Sequence, residues 1–242
     1  MADSLSTLKQ DLALAHRILV SQGVMDAFGH VSVRHPEDRE RFLLPISGAP
    51  SRVTADDIIE YDMNAEPVQA TRARLFSERI IHSAIYRARP DVNAICHHHS
   101  AAIMPFCQTG AELRPSTQTG ASMGARVPYW DSRDEFGETR LLVVTQAEGD
   151  SLARALGPWW TVLMRRHGAT VVGQDLYETV HRSVHGCADA ASQIQARALG
   201  SVQPLSDEEQ RLAGTLRADP VMRCWSHWSA VMAPQLRLDV TE

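Results

Sequence analysis

Val92-Asn93-Ala94-Ile95-Cys96-His97-His98-His99 is a short apolar run that closes on three consecutive histidines. Its length and the Pro90-Asp91 pair ahead of it read as a buried strand. Side chains alternate faces along a strand, so His97 and His99 point one way and His98 the other. Two imidazoles about 6–7 Å apart by Cα rise can converge on one divalent cation, or they can simply end a strand in solvent. Upstream, Ser77 opens a helix that runs to about Arg89 and stops before Pro90. Downstream, Thr161–Met164 and Ala169–Val172 read as two strands around a His167-Gly168 turn.

Working outward, Ser4 to Ser21 is an amphipathic helix with Leu5, Leu8, Leu12, Ala15, Ile18 and Leu19 on one face, ended by Gly23. His30–Arg34 alternates like a strand, and Arg41–Leu44 reads as its hairpin partner before a Pro45–Pro50 turn. Thr54 is an N-cap for a short helix through Ala55–Ile58. Ala101–Cys107 and Glu148–Leu156 read as helices, with Gly110–Pro128 irregular with strand pieces between them. Asp175 caps a long helix to about Leu199, and Ser206 with Glu209 forms a capping-box signature. Strands and helices interleave without a strict βαβ rhythm, which predicts an α/β layered fold with a mixed or antiparallel sheet. GxGxxG and P-loop fingerprints, repeats and Gly/Ser linkers are absent. The expectation is one domain over 1–242, with its core at about 5–200 and a C-terminal helical extension at about 205–242.

Composition narrows the function. The chain has 242 residues, is 44% hydrophobic and 22% charged, and carries a net charge of −5, which argues against a nucleic-acid or anionic-membrane partner. No apolar run reaches the roughly 18 residues of a membrane span, and the N-terminus lacks a signal-peptide core. Cys96, Cys107, Cys187 and Cys224 show no CxxC spacing and read as separate thiols in a reducing cytoplasm. Of 24 basic residues only Lys9 is a lysine, and it lies in the first helix. Schiff-base chemistry needs a desolvated lysine, so carbon–carbon chemistry here needs another electron sink.

Three local signals could supply it. The first is His97 and His99. The second is Arg165-Arg166-His167-Gly168, a tight turn whose glycine permits a positive φ or close backbone approach. The third is Ser77-Glu78, where a carboxylate in the first helical turn suits the dipole and also suits acid/base or ligand duty. His181 and His185, four apart on the long helix, lack an evident third ligand and read as a surface or interface face. Cys96 and Cys107 read as packed thiols, Trp159 and Trp160 as packing between elements, and Trp225, His227 and Trp228 as an interface or lid.

From about Leu5 to Leu199 the chain resembles the class II aldolase/adducin family. The resemblance rests on Gly29-His30-Val31-Ser32 (family G-N-V-S), Ser77-Glu78 (family S-S-E), Tyr86–Ala94, His97-His98-His99 (family H-x-H) and His167-Gly168 followed by Val172-Gly173. It implies a three-layer α/β/α fold around a mostly antiparallel sheet, with tetramers common. By carry-over His97, His99 and His167 would hold one divalent metal per subunit, zinc or manganese first, iron or cobalt next. Glu78 would be the acid/base group beside it.

The departures bear on substrate. Sugar-phosphate members of the family cradle phosphate with the G-N loop, a T-P-S-G turn and the first serine of S-S-E. Here those positions read His30, Leu44-Pro45-Ile46-Ser47-Gly48 and Phe76-Ser77, so His30, Ser47 and Ser77 become the expected substrate-binding residues. Phe76 removes a hydroxyl and adds an apolar wall. The pattern resembles the branch that decarboxylates hydroxypyridine-dicarboxylates and dihydroxyphthalates. The expected function is metal-dependent, non-oxidative decarboxylation of an ortho-hydroxylated aromatic acid. A sugar-phosphate aldolase or 4-epimerase, an iron-dependent oxidative decarboxylase and an adducin-like scaffold are the alternatives. The expected partners are a small-molecule substrate and further copies of the chain.

Overall fold

The N-terminal leucine stripe forms α1 (Ala2–Ser21), and Leu12, Ala15, Ile18 and Leu19 are fully buried. A computed structural model gives this structure and describes residues 2–238. Next come β1 (His30–Arg34) and β2 (Arg41–Pro45), the expected hairpin, with Val33 opposite Leu43. Thr54 and Asp57 form a capping box, but the turn they close at Ala55–Asp57 is 3₁₀ rather than α. β3 (Ile58–Asp62) follows at once and pairs antiparallel with β2. This strand is missing from the sequence reading because five residues with two adjacent isoleucines carry no clear period. Pairing, not pattern, makes it a strand.

α2 (Arg79–Ala88) begins two residues later than the sequence predicts, and β4 (Ala94–His98) is the buried strand. α3 (Met104–Thr109) lies C-terminal to its expected start. β5 (Tyr129–Trp130), α4 (Arg133–Phe136) and α5 (Gln146–Leu156) lead to the β6 (Thr161–Met164) and β7 (Gly168–Gly173) hairpin. α6 (Leu176–Ala196) is capped by Asp175, which accepts the Glu178 N–H. α7 (Asp207–Ala213) carries the Ser206–Glu209 capping box, and α8 (Ala218–Leu238) ends the described chain.

The seven strands of the described residues form one sheet in the order β3-β2-β1-β4-β7-β6-β5, antiparallel throughout except for the β5–β6 pair. It is the expected mixed, mostly antiparallel sheet between helical layers. Alternation divides the core in two. Val31, Val33, Leu43, Cys96 and Val171 face α1, α6 and α8, whereas Phe42, Leu44, Ile95, Val162 and Val172 face α2 and α5. Each such fully buried large side chain contributes about 1.5–3 kcal/mol, so both layers are held firmly to the sheet.

Register then places the polar residues. His30 lies opposite His97, and His97 opposite Thr170, so all three project toward the α2–α5 layer at one end of the central strands. Val221, Trp225, Trp228 and Met232 form a helical stripe buried by α8 against the other layer, where the Trp225 ring meets Tyr177 at 4.8 Å. Trp225 and Trp228 are therefore core residues, contrary to their reading as a lid or interface, and His227 alone of the three is exposed. Among the described residues, no helix is long and apolar enough to cross a membrane.

Candidate metal centre and active-site cleft

Four side chains from three parts of the chain meet at the end of β4. His97 Nε2 lies 3.0 Å from His99 Nε2, and Glu78 Oε2 lies 3.4 Å from His167 Nε2 and 3.8 Å from His97 Nε2. Ligand atoms of all four fall within 4.8 Å of one another. Tetrahedral ligands about 2.0–2.1 Å from one ion sit about 3.3–3.4 Å apart, so these separations suit a single small cation.

The local chain explains the convergence. His97 lies in β4 and His99 one residue beyond its end, and their Nε2 atoms still meet on one side, as their spacing predicts. His167 is the last residue of the β6–β7 turn, and Met164 pairs with Gly168 on either side of it. A Cβ on Gly168 would sit 2.3 Å from the His98 carbonyl oxygen, so the glycine serves close strand approach. The positive φ in the turn belongs to Arg166, at 53°. Glu78 occupies the N-cap position of α2 rather than its first turn, and its side chain makes no cap hydrogen bond. Instead Oε1 accepts the Val143 N–H at 2.9 Å, which leaves Oε2 facing the imidazoles.

The donor set fits a metal. Both ring nitrogens of His167 are buried without a hydrogen-bond partner, an arrangement that costs free energy unless something charged or polar fills the gap. Thr170 donates its hydroxyl to Met164 Sδ and so accepts from His97 Nδ1–H at 3.2 Å. That fixes the tautomer and leaves the His97 Nε2 lone pair for a ligand. Burial, then the neighbouring His167, lowers the pKa of His97 well below the usual imidazole range and lowers that of His99 too. Neutral imidazoles are the form that binds metal.

A cleft of about 450 Å³ opens beside this cluster. His30, Ser47 and Ser77 line it together with Phe28, Arg74 and Phe76, and Glu78 and His99 are part of its wall. All seven residues picked from the sequence therefore gather at one place. Ser47 N–H donates to the Arg74 carbonyl at 2.7 Å, tying the two lining loops together.

The sequence reading missed three residues. Arg74 stands among 23 arginines and Phe28 among ordinary loop residues, so nothing local marked either. The third is His82, whose helical spacing from Glu78 was visible but whose partner was not. His82 turns to His30, with Nε2 2.6 Å from His30 Nδ1, and its Nδ1 lies 2.6 Å from Ser32 Oγ. Ser32 Oγ lies 2.8 Å from the Tyr86 hydroxyl.

Donor accounting gives this chain a direction. Burial raises the Tyr86 pKa, so the phenol keeps its proton, and among the described residues Ser32 Oγ is the one hydrogen-bond partner that can accept it. Ser32 must then donate to His82 Nδ1, and His82 Nε2–H to His30 Nδ1. His30 is left with its proton on Nε2, the nitrogen available to the cleft. Burial first, then His82, lowers the His30 pKa well below the usual range, so it serves as a neutral donor. Burial also pushes the Cys96 and Cys107 thiols up to about 12, in keeping with packed, unreactive sulfurs.

A profile of the class II aldolase and adducin N-terminal domain matches residues 10–194. The chain belongs to the class II aldolase and adducin family. A similar curated protein is decarboxylase tropJ of Talaromyces stipitatus, 32% identical over 235 residues, covering 87% of this chain and 88% of that protein. Decarboxylase NovR of Streptomyces niveus is 28% identical over 190 residues, covering 77% of this chain and 67% of that one. Among solved structures, the L-fuculose 1-phosphate aldolase of Glaciozyma antarctica PI12 superposes with a TM-score of 0.80 at 23% identity. It covers 97% of this chain and 92% of its own, and shows that the class II aldolase fold is shared.

Proposed function

We propose that this protein is a metal-dependent carbon–carbon lyase that decarboxylates an ortho-hydroxylated aromatic mono- or dicarboxylic acid without an oxidant. The observation that carries the reading is the convergence of Glu78, His97, His99 and His167 beside a cleft with one aromatic wall and one arginine. Two curated relatives named decarboxylases support the choice of bond. In the reaction the ring–carboxylate bond breaks, its electron pair stays on the ring carbon, and a proton takes the place of the departing CO₂. The chemistry a divalent ion supplies there is Lewis acidity toward those electrons, zinc or manganese being the ions in view.

His97, His99 and His167 would hold the ion. Glu78 Oε1 is committed to the Val143 N–H, so Oε2 is the atom that delivers the proton to the ring carbon. His30 Nε2–H, fixed by the His82–Ser32–Tyr86 chain, donates to a substrate oxygen. Phe76, whose ring centroid lies 4.7 Å from that of His30, gives an aromatic ring a flat surface where phosphate-binding relatives keep a hydroxyl. Arg74 at the mouth pairs with a substrate carboxylate.

Metal-loaded protein offered a panel of 2-hydroxy aromatic acids should release CO₂ in step with loss of substrate and without taking up oxygen. Turnover of sugar phosphates alone would return the protein to the aldolase or epimerase reading. Oxygen consumption matched to CO₂ release would make it an oxidative enzyme. Assembly of several copies through the exposed surface is part of the same proposal, read from the family resemblance.

A further inference from the structure

On the opposite side of the sheet, α6 and α8 bring together three ligating side chains that the proposed reaction does not use. His181 and His185 lie one helical turn apart on α6, their ring centroids 4.3 Å from each other. Cys224 reaches them from α8, with Sγ 3.7 Å from His185 Nε2. One ligand atom from each of the three falls within 4.8 Å of the other two. His181 is only 5% exposed, and its Nδ1 is buried with no hydrogen-bond partner. A buried, unpaired imidazole nitrogen carries a desolvation cost, so the fold tolerates it only for some return. Beside the three residues lies a cavity of about 420 Å³, lined also by Thr119, Ser122 and Arg217.

We propose that His181, His185 and Cys224 form a second transition-metal site, with an imidazole–imidazole–thiolate donor set and zinc(II) as the ion. Two nitrogens and a sulfur are the donors zinc prefers, and the thiolate excludes magnesium and calcium, which take oxygen. Three protein ligands leave a fourth tetrahedral position, and the neighbouring cavity gives it room for water or a small anion. Histidines at i and i+4 on one helix face reach one ion without rearranging the backbone. Binding releases the Cys224 thiol proton, and the ion links α8 to α6 beside the Trp225–Trp228 stripe. A thiol–imidazole hydrogen bond alone would account for Cys224 and His185 but would leave His181 Nδ1 orphaned.

Cobalt(II) separates this site from the first, because Glu78, His97, His99 and His167 contain no sulfur. Full-length protein stripped of metal and loaded with cobalt should show a thiolate-to-cobalt charge-transfer band in the near ultraviolet. That band should vanish in Cys224→Ser and persist in His167→Ala. Zinc bound by the native protein should exceed that bound by Cys224→Ser by one equivalent per chain, and His167→Ala should keep that equivalent. A readout without any substitution is alkylation: Cys224 is the only half-buried cysteine, the other three being buried. Zinc should slow its reaction with iodoacetamide at least tenfold. A cobalt spectrum lacking the thiolate band, or alkylation indifferent to zinc, overturns the proposal. Neither result bears on whether the first site decarboxylates, so the two readings fail independently.

Discussion

Replacing His82 with phenylalanine tests the hydrogen-bond chain behind His30, and the structure sets the size and sign of the effect. His82 is wholly buried, with Ser32 on one nitrogen and His30 on the other. Phenylalanine keeps the ring volume but orphans His30 Nδ1 and the Ser32 hydroxyl proton. At pH 8 the two orphaned groups should cost about 2–6 kcal/mol together, and Tm should fall about 4–24 °C for a chain of this size. Acid changes the comparison. Burial lowers the His82 pKa from 6.5 to about 3.

The unfolded chain therefore takes up a proton at His82 as pH falls through 6.5, while the folded protein refuses it until about pH 3. Between those values the unfolded state binds more protons, so native stability is lost with falling pH. At pH 5 the loss from this one group is about 2 kcal/mol, from 1.5 pKa units at about 1.4 kcal/mol each. Phenylalanine has nothing to protonate. The variant should thus be clearly less stable than the native protein at pH 8, with the gap about 2 kcal/mol narrower at pH 5. Urea unfolding of both proteins at the two pH values measures this, and the difference between them cancels the metal site's own pH dependence. A stability gap that is the same or wider at pH 5 would refute a neutral, buried His82 bonded at both nitrogens.

Three further substitutions probe the cleft. Glu78→Gln removes the proton carrier but not the imidazoles, so CO₂ release should fall about 10²–10⁴-fold while the protein still binds its metal. Kinetics beside elemental analysis would show it. Arg74→Ala removes one charge-assisted hydrogen bond worth about 1.5–3 kcal/mol, so KM for a carboxylated substrate should rise about 10–100-fold with kcat little changed. Gly168→Ala places a Cβ 2.3 Å from the His98 carbonyl oxygen. It should lower stability by about 1–3 kcal/mol and displace His167, weakening metal binding, as calorimetric titration would show.

Much of the fold was legible because its signals are local. The leucine stripe of α1, the β1–β2 hairpin and the Asp175 and Ser206 caps each depend on neighbours within a few residues. β3 and β5 were not legible, since two edge strands of five and two residues take their form from pairing alone. At the site, period-two alternation gave His97 and His99 a common face, and the turn placed His167 where its side chain can project into a site. Family resemblance, rather than spacing, joined the three to Glu78. The His30–His82–Ser32–Tyr86 chain spans strand-to-helix contacts 50 or more residues apart. Cys224 lies 39 residues from His185, which is why that pair of helical histidines looked partnerless.

One titration tests the metal dependence. Chelator-stripped protein is given zinc or manganese in increments while CO₂ release from a 2-hydroxy aromatic acid is followed alongside bound metal. Activity should start near zero and climb in proportion to the equivalent that native protein binds beyond what His167→Ala binds, and His167→Ala should not recover. Undiminished CO₂ release from metal-free protein, or full recovery of the His167→Ala chain, would contradict it.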